Sequence, residues 1–125
     1  MDLSYGPEYE AFRQTVRGFI TAHRHLAPAV IAQKDPPSKA WQRLLIDHGY
    51  AARTIPAQYG GAGHAPDILE SRIIAEEFAA AGVPPGLRGQ GISMLVPTLL
   101  EVGSEDQRRQ FIPPTLAGDM VWCQG

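Results

Sequence analysis

Apolar side chains recur along this chain at helical spacing, and glycine or proline separates each run from the next. From Glu8 to His23, the residues Tyr9, Phe12, Val16, Phe19, Ile20 and His23 follow at steps of 3, 4, 3, 1 and 3, one face of an α-helix. Pro7 suits the first helical position, where a missing N–H costs nothing. Pro28 ends the run, because a residue before proline, here Ala27, is driven out of the α region. Arg13, Arg17 and Arg24 lie off the apolar stripe. A second, shorter stripe of Trp41, Leu44, Leu45 and His48 follows Asp35-Pro36-Pro37-Ser38. It closes at Gly49, which is expected to take the left-handed conformation that ends a helix, with His48 helping to cap it. A third helix is expected from Pro66-Asp67 to about Ala81, with Gly82 after it. Leu69, Ile73, Ile74, Phe78 and Ala81 make its buried rows. Arg72, Glu76 and Glu77 are placed on its wetter side, with Arg72 and Glu76 as a weak i,i+4 pair.

The run from Gly91 to Val102 differs in kind. Only Ser93, Thr98 and Glu101 are polar there, so the pattern predicts a helix buried nearly all round. Pro97 lies inside it, which means either a helix that starts near Pro97 or a kink kept for geometry. Ser104-Glu105-Asp106-Gln107 is a capping box that opens a fifth helix, with Phe111, Ile112 and Leu116 on its core side. Pro113-Pro114 is expected to break or restart that helix, and Gly118 to close it. Residues 50–56 could be extended, and residues 58–63 form a glycine-rich loop. Asp119-Met120-Val121-Trp122-Cys123 then reads as a strand, and it has no partner within the chain. The expected architecture is all-α, about five or six helices over residues 1–118. Residues 119–125 would begin a β region that lies elsewhere.

Composition narrows the function more by exclusion than by assignment. The chain has 125 residues, 44% apolar and 19% charged, enough for one ordinary globular core. Eleven basic and thirteen acidic residues give a net charge of −2 with no basic block, which argues against nucleic-acid binding. No apolar run approaches the ~18 residues of a membrane span. The N-terminus has no signal-peptide pattern and Cys123 is the one cysteine, so the cytoplasm is the expected compartment. Gly61-Ala62-Gly63 begins like a phosphate-binding fingerprint, but Pro66 stands where the third glycine belongs, and a plain turn is the better reading. His23 and His25 are two apart and point to different sides of a helix, so no zinc spacing is present. Glu76 and Glu77 are adjacent and do not form a dyad, and no serine has a nucleophile-elbow context. The residues alone disclose no self-contained active site. The fourth run reads first as a core helix, since such stripes usually mean packing, and second as one wall of an apolar channel; periodicity does not separate the two.

The order of the pieces resembles the N-terminal domain of the flavin-dependent acyl-CoA dehydrogenases. The matching residues are Phe12 with Val16-Arg17-x-Phe19, then Trp41-x-x-Leu44 and Gly49, then Pro56-x-x-Tyr59-Gly60-Gly61-x-Gly63. They continue with Ile74-Ala75-Glu76-Glu77, Pro97-Thr98-Leu99-Leu100-x-x-Gly103, Gln107, Phe111-Ile112-Pro113-Pro114 and Trp122-Cys123-Gln124-Gly125. The resemblance implies α,β-dehydrogenation of an acyl-CoA thioester, with FAD as hydride acceptor and an electron-transfer flavoprotein or similar partner. It implies a subunit with two further domains, which carry the catalytic glutamate and most of the flavin site, in a homo- or hetero-oligomer. On that basis this chain is a fragment, inactive and without tight flavin by itself, with no catalytic or metal-binding residue of its own. Met94, Val96 and Pro97 are expected to line the acyl channel, and Gln124 and Trp122 to touch the flavin. The Trp-Cys-Gln-Gly stretch is similar to branches that handle bulky acyl chains, sterol side chains among them. A stand-alone helical interaction module is the rival, binding a partner through the fourth helix.

Overall fold

A computed structural model describes residues 6–29, 35–87 and 91–120. Five α-helices account for most of it: α1 (Pro7–His23), α2 (Pro36–Asp47), α3 (Ile68–Ala81), α4 (Val96–Val102) and α5 (Glu105–Ala117). Short 3₁₀ turns at Arg24–Leu26 and Ala57–Tyr59 and a π turn at Gly91–Leu95 complete the order, and no strand occurs among the described residues.

Two adjoining cores hold the helices together. Val16, Phe19 and Ile20 of α1 meet Trp41 and Leu45 of α2 and Ile73, Ile74 and Phe78 of α3 in the first. Ile46 of α2, Tyr59, Val96 and Leu99 of α4, and Ile112 and Leu116 of α5 form the second. Leu45 and Ile46 face different cores, so α2 is the shared wall. Each such side chain contributes about 1.5–3 kcal/mol by leaving water. The Trp41 indole N–H is not stranded by its burial, since it donates to the Pro84 carbonyl at 2.9 Å.

Most helix ends follow the local signals. Asp67 caps α3 by accepting from the Leu69 and Glu70 N–H groups, and Tyr9 of α1 donates to the same carboxylate at 3.0 Å. Ser104 and Gln107 complete the capping box at α5. Ala27 is extended at φ −70°, ψ 132°, as Pro28 demands. Gly49 has φ +81°, and the His48 ring Nδ1 meets the Leu44 carbonyl at 3.0 Å.

Four expectations need correction. Residues 50–56 are not extended: they coil into turns, and Ala52 takes φ +49°. Pro113 and Pro114 do not break α5. The freed carbonyls belong to Arg109 and Gln110, both exposed, and the inward side is held by Ile112 and Leu116, buried to 0% and 2% exposure. The fourth segment is not buried all round, for Met94 is 60% and Val102 75% exposed. Glu77 is not on the wet side but 8% exposed, because Arg13 and Arg17 reach it from α1.

Candidate functional site

The apolar fourth segment is where the sequence places its binding residues. It enters as a π turn, Gly91–Leu95, and tightens into α4 at Val96, so Pro97 falls directly after the change of helical form. The Thr98 hydroxyl donates back to the Met94 carbonyl at 2.7 Å, stitching the two helical forms together. Arg108 of α5 secures the other end, its Nε donating to the Leu99 carbonyl at 2.8 Å and Nη2 to Leu100 at 3.0 Å. This short element is therefore set by its neighbours as much as by its own ladder.

Of the three residues expected to line a channel, Met94 and Pro97 are exposed, while Val96 is fully buried in the second core. Met94 and Pro97 thus present an apolar ledge, and Val96 anchors it from below. Trp122 and Gln124 lie outside the described residues, as does most of the expected strand.

A separate open cleft of about 390 Å³ lies between α3 and the turns that follow α2. Ile74, Ala75 and Phe78 of α3 line it together with Tyr50, Ala52, Arg53 and Val83. The Arg53 guanidinium is held by the Gly49 carbonyl at 2.6 Å and by Glu70 at 2.5 Å. The cleft shares no lining residue with the Met94–Pro97 ledge.

The carboxylates serve structure rather than proton transfer. Glu77 accepts from Arg17 Nε and Arg13 Nη1, each at 2.6 Å, and Arg13 also holds Glu76 at 2.9 Å. Hydrogen bonding from Arg17, then from Arg13, keeps the Glu77 carboxyl below the usual carboxylate range despite the opposing effect of burial. Glu105 is shifted down by the Tyr59 hydroxyl, which donates to it at 2.6 Å, and by Arg109. Backbone N–H donors, that of Glu70 foremost, do the same to Asp67. Bound as anions, these three groups are poor bases for abstracting a carbon-bound proton near pH 7.

The glycine-rich turn is no phosphate cradle. Gly61 N–H donates to Pro56, Ala62 N–H to Ala52 and Gly63 N–H to Ile55, so these donors point inward. A Cβ on Gly61 would come within 2.2 Å of the Ile55 carbonyl oxygen, which is why glycine is required there.

Sequence reasoning passed over two residues. Gln42, 2% exposed, donates to the Leu116 carbonyl and accepts from the Leu87 N–H, both at 2.8 Å. Arg108, which holds the Leu99 and Leu100 carbonyls, is the other. Neither carries a local signal beyond standing next to an apolar stripe.

Residues 6–119 match the acyl-CoA dehydrogenase N-terminal domain, and the chain belongs to the acyl-CoA dehydrogenase family. Acyl-CoA dehydrogenase IpdE1 of Mycolicibacterium smegmatis is 32% identical over 87 residues, 70% of this chain and 22% of that one. Among solved structures, the ChsE4-ChsE5 complex from Mycobacterium tuberculosis superposes with a TM-score of 0.65 at 26% identity, over 96% of this chain and 30% of that one. The Tcur3481-Tcur3483 steroid ACAD gives 0.64 at 25% identity, over 97% and 32%. The chain therefore spans only about a fifth to a third of these relatives.

Proposed function

We propose that this chain forms the helical N-terminal part of a flavin-dependent acyl-CoA dehydrogenase and supplies one wall of its acyl channel. The observation that carries this is the family match over residues 6–119. Support for the wall comes from Met94 and Pro97, apolar and exposed on an element held at its C-terminal end by Arg108. In this reading the ledge packs along the acyl chain and keeps water from it, and Val96 fixes its height from the core. Bulky, sterol-derived acyl groups are the proposed substrate class, in keeping with the steroid ACAD among the structural neighbours. A hetero-oligomer is proposed on the same footing, since one neighbour is a two-protein complex.

The glycine turn does not fit the phosphates of FAD, because its N–H groups are bonded to Pro56, Ala52 and Ile55. Trp122 and Gln124 are the proposed flavin contacts. With its shifted carboxylates tied to cations, hydroxyls or N–H groups, the chain alone is proposed to be inactive, its acceptor an electron-transfer flavoprotein or similar carrier once assembled.

The test is a chimera of IpdE1 in which residues 6–119 replace the corresponding segment. Retained flavin absorbance and reduction of a dye by bulky acyl-CoA thioesters are expected, with no reduction by the 125-residue chain alone. A flavin-loaded chimera that oxidises no acyl-CoA refutes the proposal, as does turnover by the chain alone. If the ledge instead binds a protein partner, substitution at Met94 would leave the chimera's substrate preference unchanged.

A further inference from the structure

Two histidines 25 positions apart in sequence come together in space. His23 lies in the last turn of α1, and His48 ends α2. Their ring centroids are 5.2 Å apart, and both rings pack on Phe19, at 4.6 and 4.8 Å. Neither histidine has a part in the proposed function.

The hydrogen bonds fix what these rings offer. His23 Nδ1 meets the Phe19 carbonyl at 2.9 Å, and His48 Nδ1 meets the Leu44 carbonyl at 3.0 Å. A carbonyl can only accept, so each Nδ1 carries the proton, and in the neutral ring Nε2 keeps a bare lone pair. That combination, one ring nitrogen donating to a backbone carbonyl and the other basic, is how proteins prepare imidazole to bind a metal. Two imidazoles sharing one ion at about 2.0–2.1 Å and a tetrahedral angle place their centroids roughly 5 Å apart. The separation here fits. Both rings also stand at helix C-termini, where the backbone partial charge favours a cation. The neighbouring charges are turned elsewhere: Arg24 donates to the Ala81 carbonyl, and Asp47 pairs with Arg43.

We propose that His23 and His48 form a two-imidazole seat for a borderline divalent cation such as Zn²⁺, Ni²⁺ or Cu²⁺. No cluster of three or more metal-ligating side chains occurs among the described residues, so water completes the coordination and the ion exchanges readily. Hard, oxygen-seeking Mg²⁺ is rejected.

The experiment titrates Ni²⁺ and Mg²⁺ into the untagged 125-residue chain carrying Cys123→Ser, which removes the competing thiol, and follows the heat of binding. One saturable Ni²⁺ site is expected, with none for Mg²⁺. His23→Gln and His48→Gln should each weaken Ni²⁺ at least tenfold, while His25→Gln should not. In the chain with all four histidines, one equivalent of Zn²⁺ should shift the His23 and His48 ring resonances together, a readout independent of whether the variants fold. Absence of a saturable site, binding that survives both substitutions, or Zn²⁺ shifts that bypass either ring would overturn the proposal and leave a simple aromatic stack.

Discussion

Replacing Gln42 with leucine tests the packing most directly. The side chain is 2% exposed, and its amide bridges two segments far from it in sequence: Leu116, at the end of α5, and Leu87, before α4. Leucine keeps much of the volume but leaves the Leu116 carbonyl and the Leu87 N–H without their partner. Each orphaned buried group costs about 1–3 kcal/mol. Two of them, partly offset by the extra apolar burial, give about 3 kcal/mol. For a chain of this length that is a fall in melting temperature of roughly 10 °C. Urea unfolding followed by tryptophan fluorescence should show a lower midpoint with an unchanged slope. Amide exchange at Leu87 should accelerate well beyond that at Val16. Gly86→Ala probes the same joint from outside, because its Cβ would lie 2.6 Å from Gln42 Oε1. A loss below about 1 kcal/mol in Gln42→Leu, with Leu87 still protected, would show that water or a rearranged loop satisfies these groups and that the bridge is dispensable.

Other outcomes are as specific. Glu77→Gln should cost about 2 kcal/mol at pH 7, under the 3–5 typical of a fully buried pair because Arg17 is 53% exposed; chemical denaturation measures it. Since the folded Glu77 carboxyl lies below its ordinary value, its contribution is present above the unfolded Glu range and is lost as pH falls through the folded value. Stability profiles from pH 6 to 2 should therefore fall less steeply for Glu77→Gln than for the unsubstituted chain. Ser104→Ala should lose about 1 kcal/mol by thermal melting, through loss of the α5 cap. In the chimera, Met94→Trp should penalise long or bulky acyl chains over short ones, with little change in melting. Val96→Trp overpacks a site with no exposure and should cost about 1–3 kcal/mol or more, with all chain lengths affected alike.

What could be read from sequence was what depends on near neighbours. The start of α5 is written within four residues, Ser104 to Gln107, and the ends of α2 and α3 in single glycines, Gly49 and Gly82. Gln42 and Glu77 look like ordinary surface residues by the same rules, because the groups that justify their burial lie 45 to 74 positions away. Pro113-Pro114 misleads for a related reason. A local penalty was visible, while the packing of Ile112 and Leu116 that outweighs it was not. For the ledge, period alone marked residues 91–102 as apolar but could not tell Met94, facing out, from Val96, facing in. Two positions apart, they stand on opposite sides of the helix, and the packing of Val96 among Ile46, Tyr59, Ile112 and Leu116 decides which side faces in.

The π turn at Gly91–Leu95 has a consequence for how such a ledge can change over generations. A π turn holds one residue more than an α turn. Loss of a single residue there could restore α geometry while α4, pinned by Arg108 and by Val96 in the core, stays in place. The side chains upstream would then swing about 100° around the helix axis. One codon deleted would thus exchange Met94 for a neighbour on the ledge, and would also turn Ile92, which packs against the second core. Diversification of the ledge by length is therefore tied to whether the second core can accept a new side chain in place of Ile92.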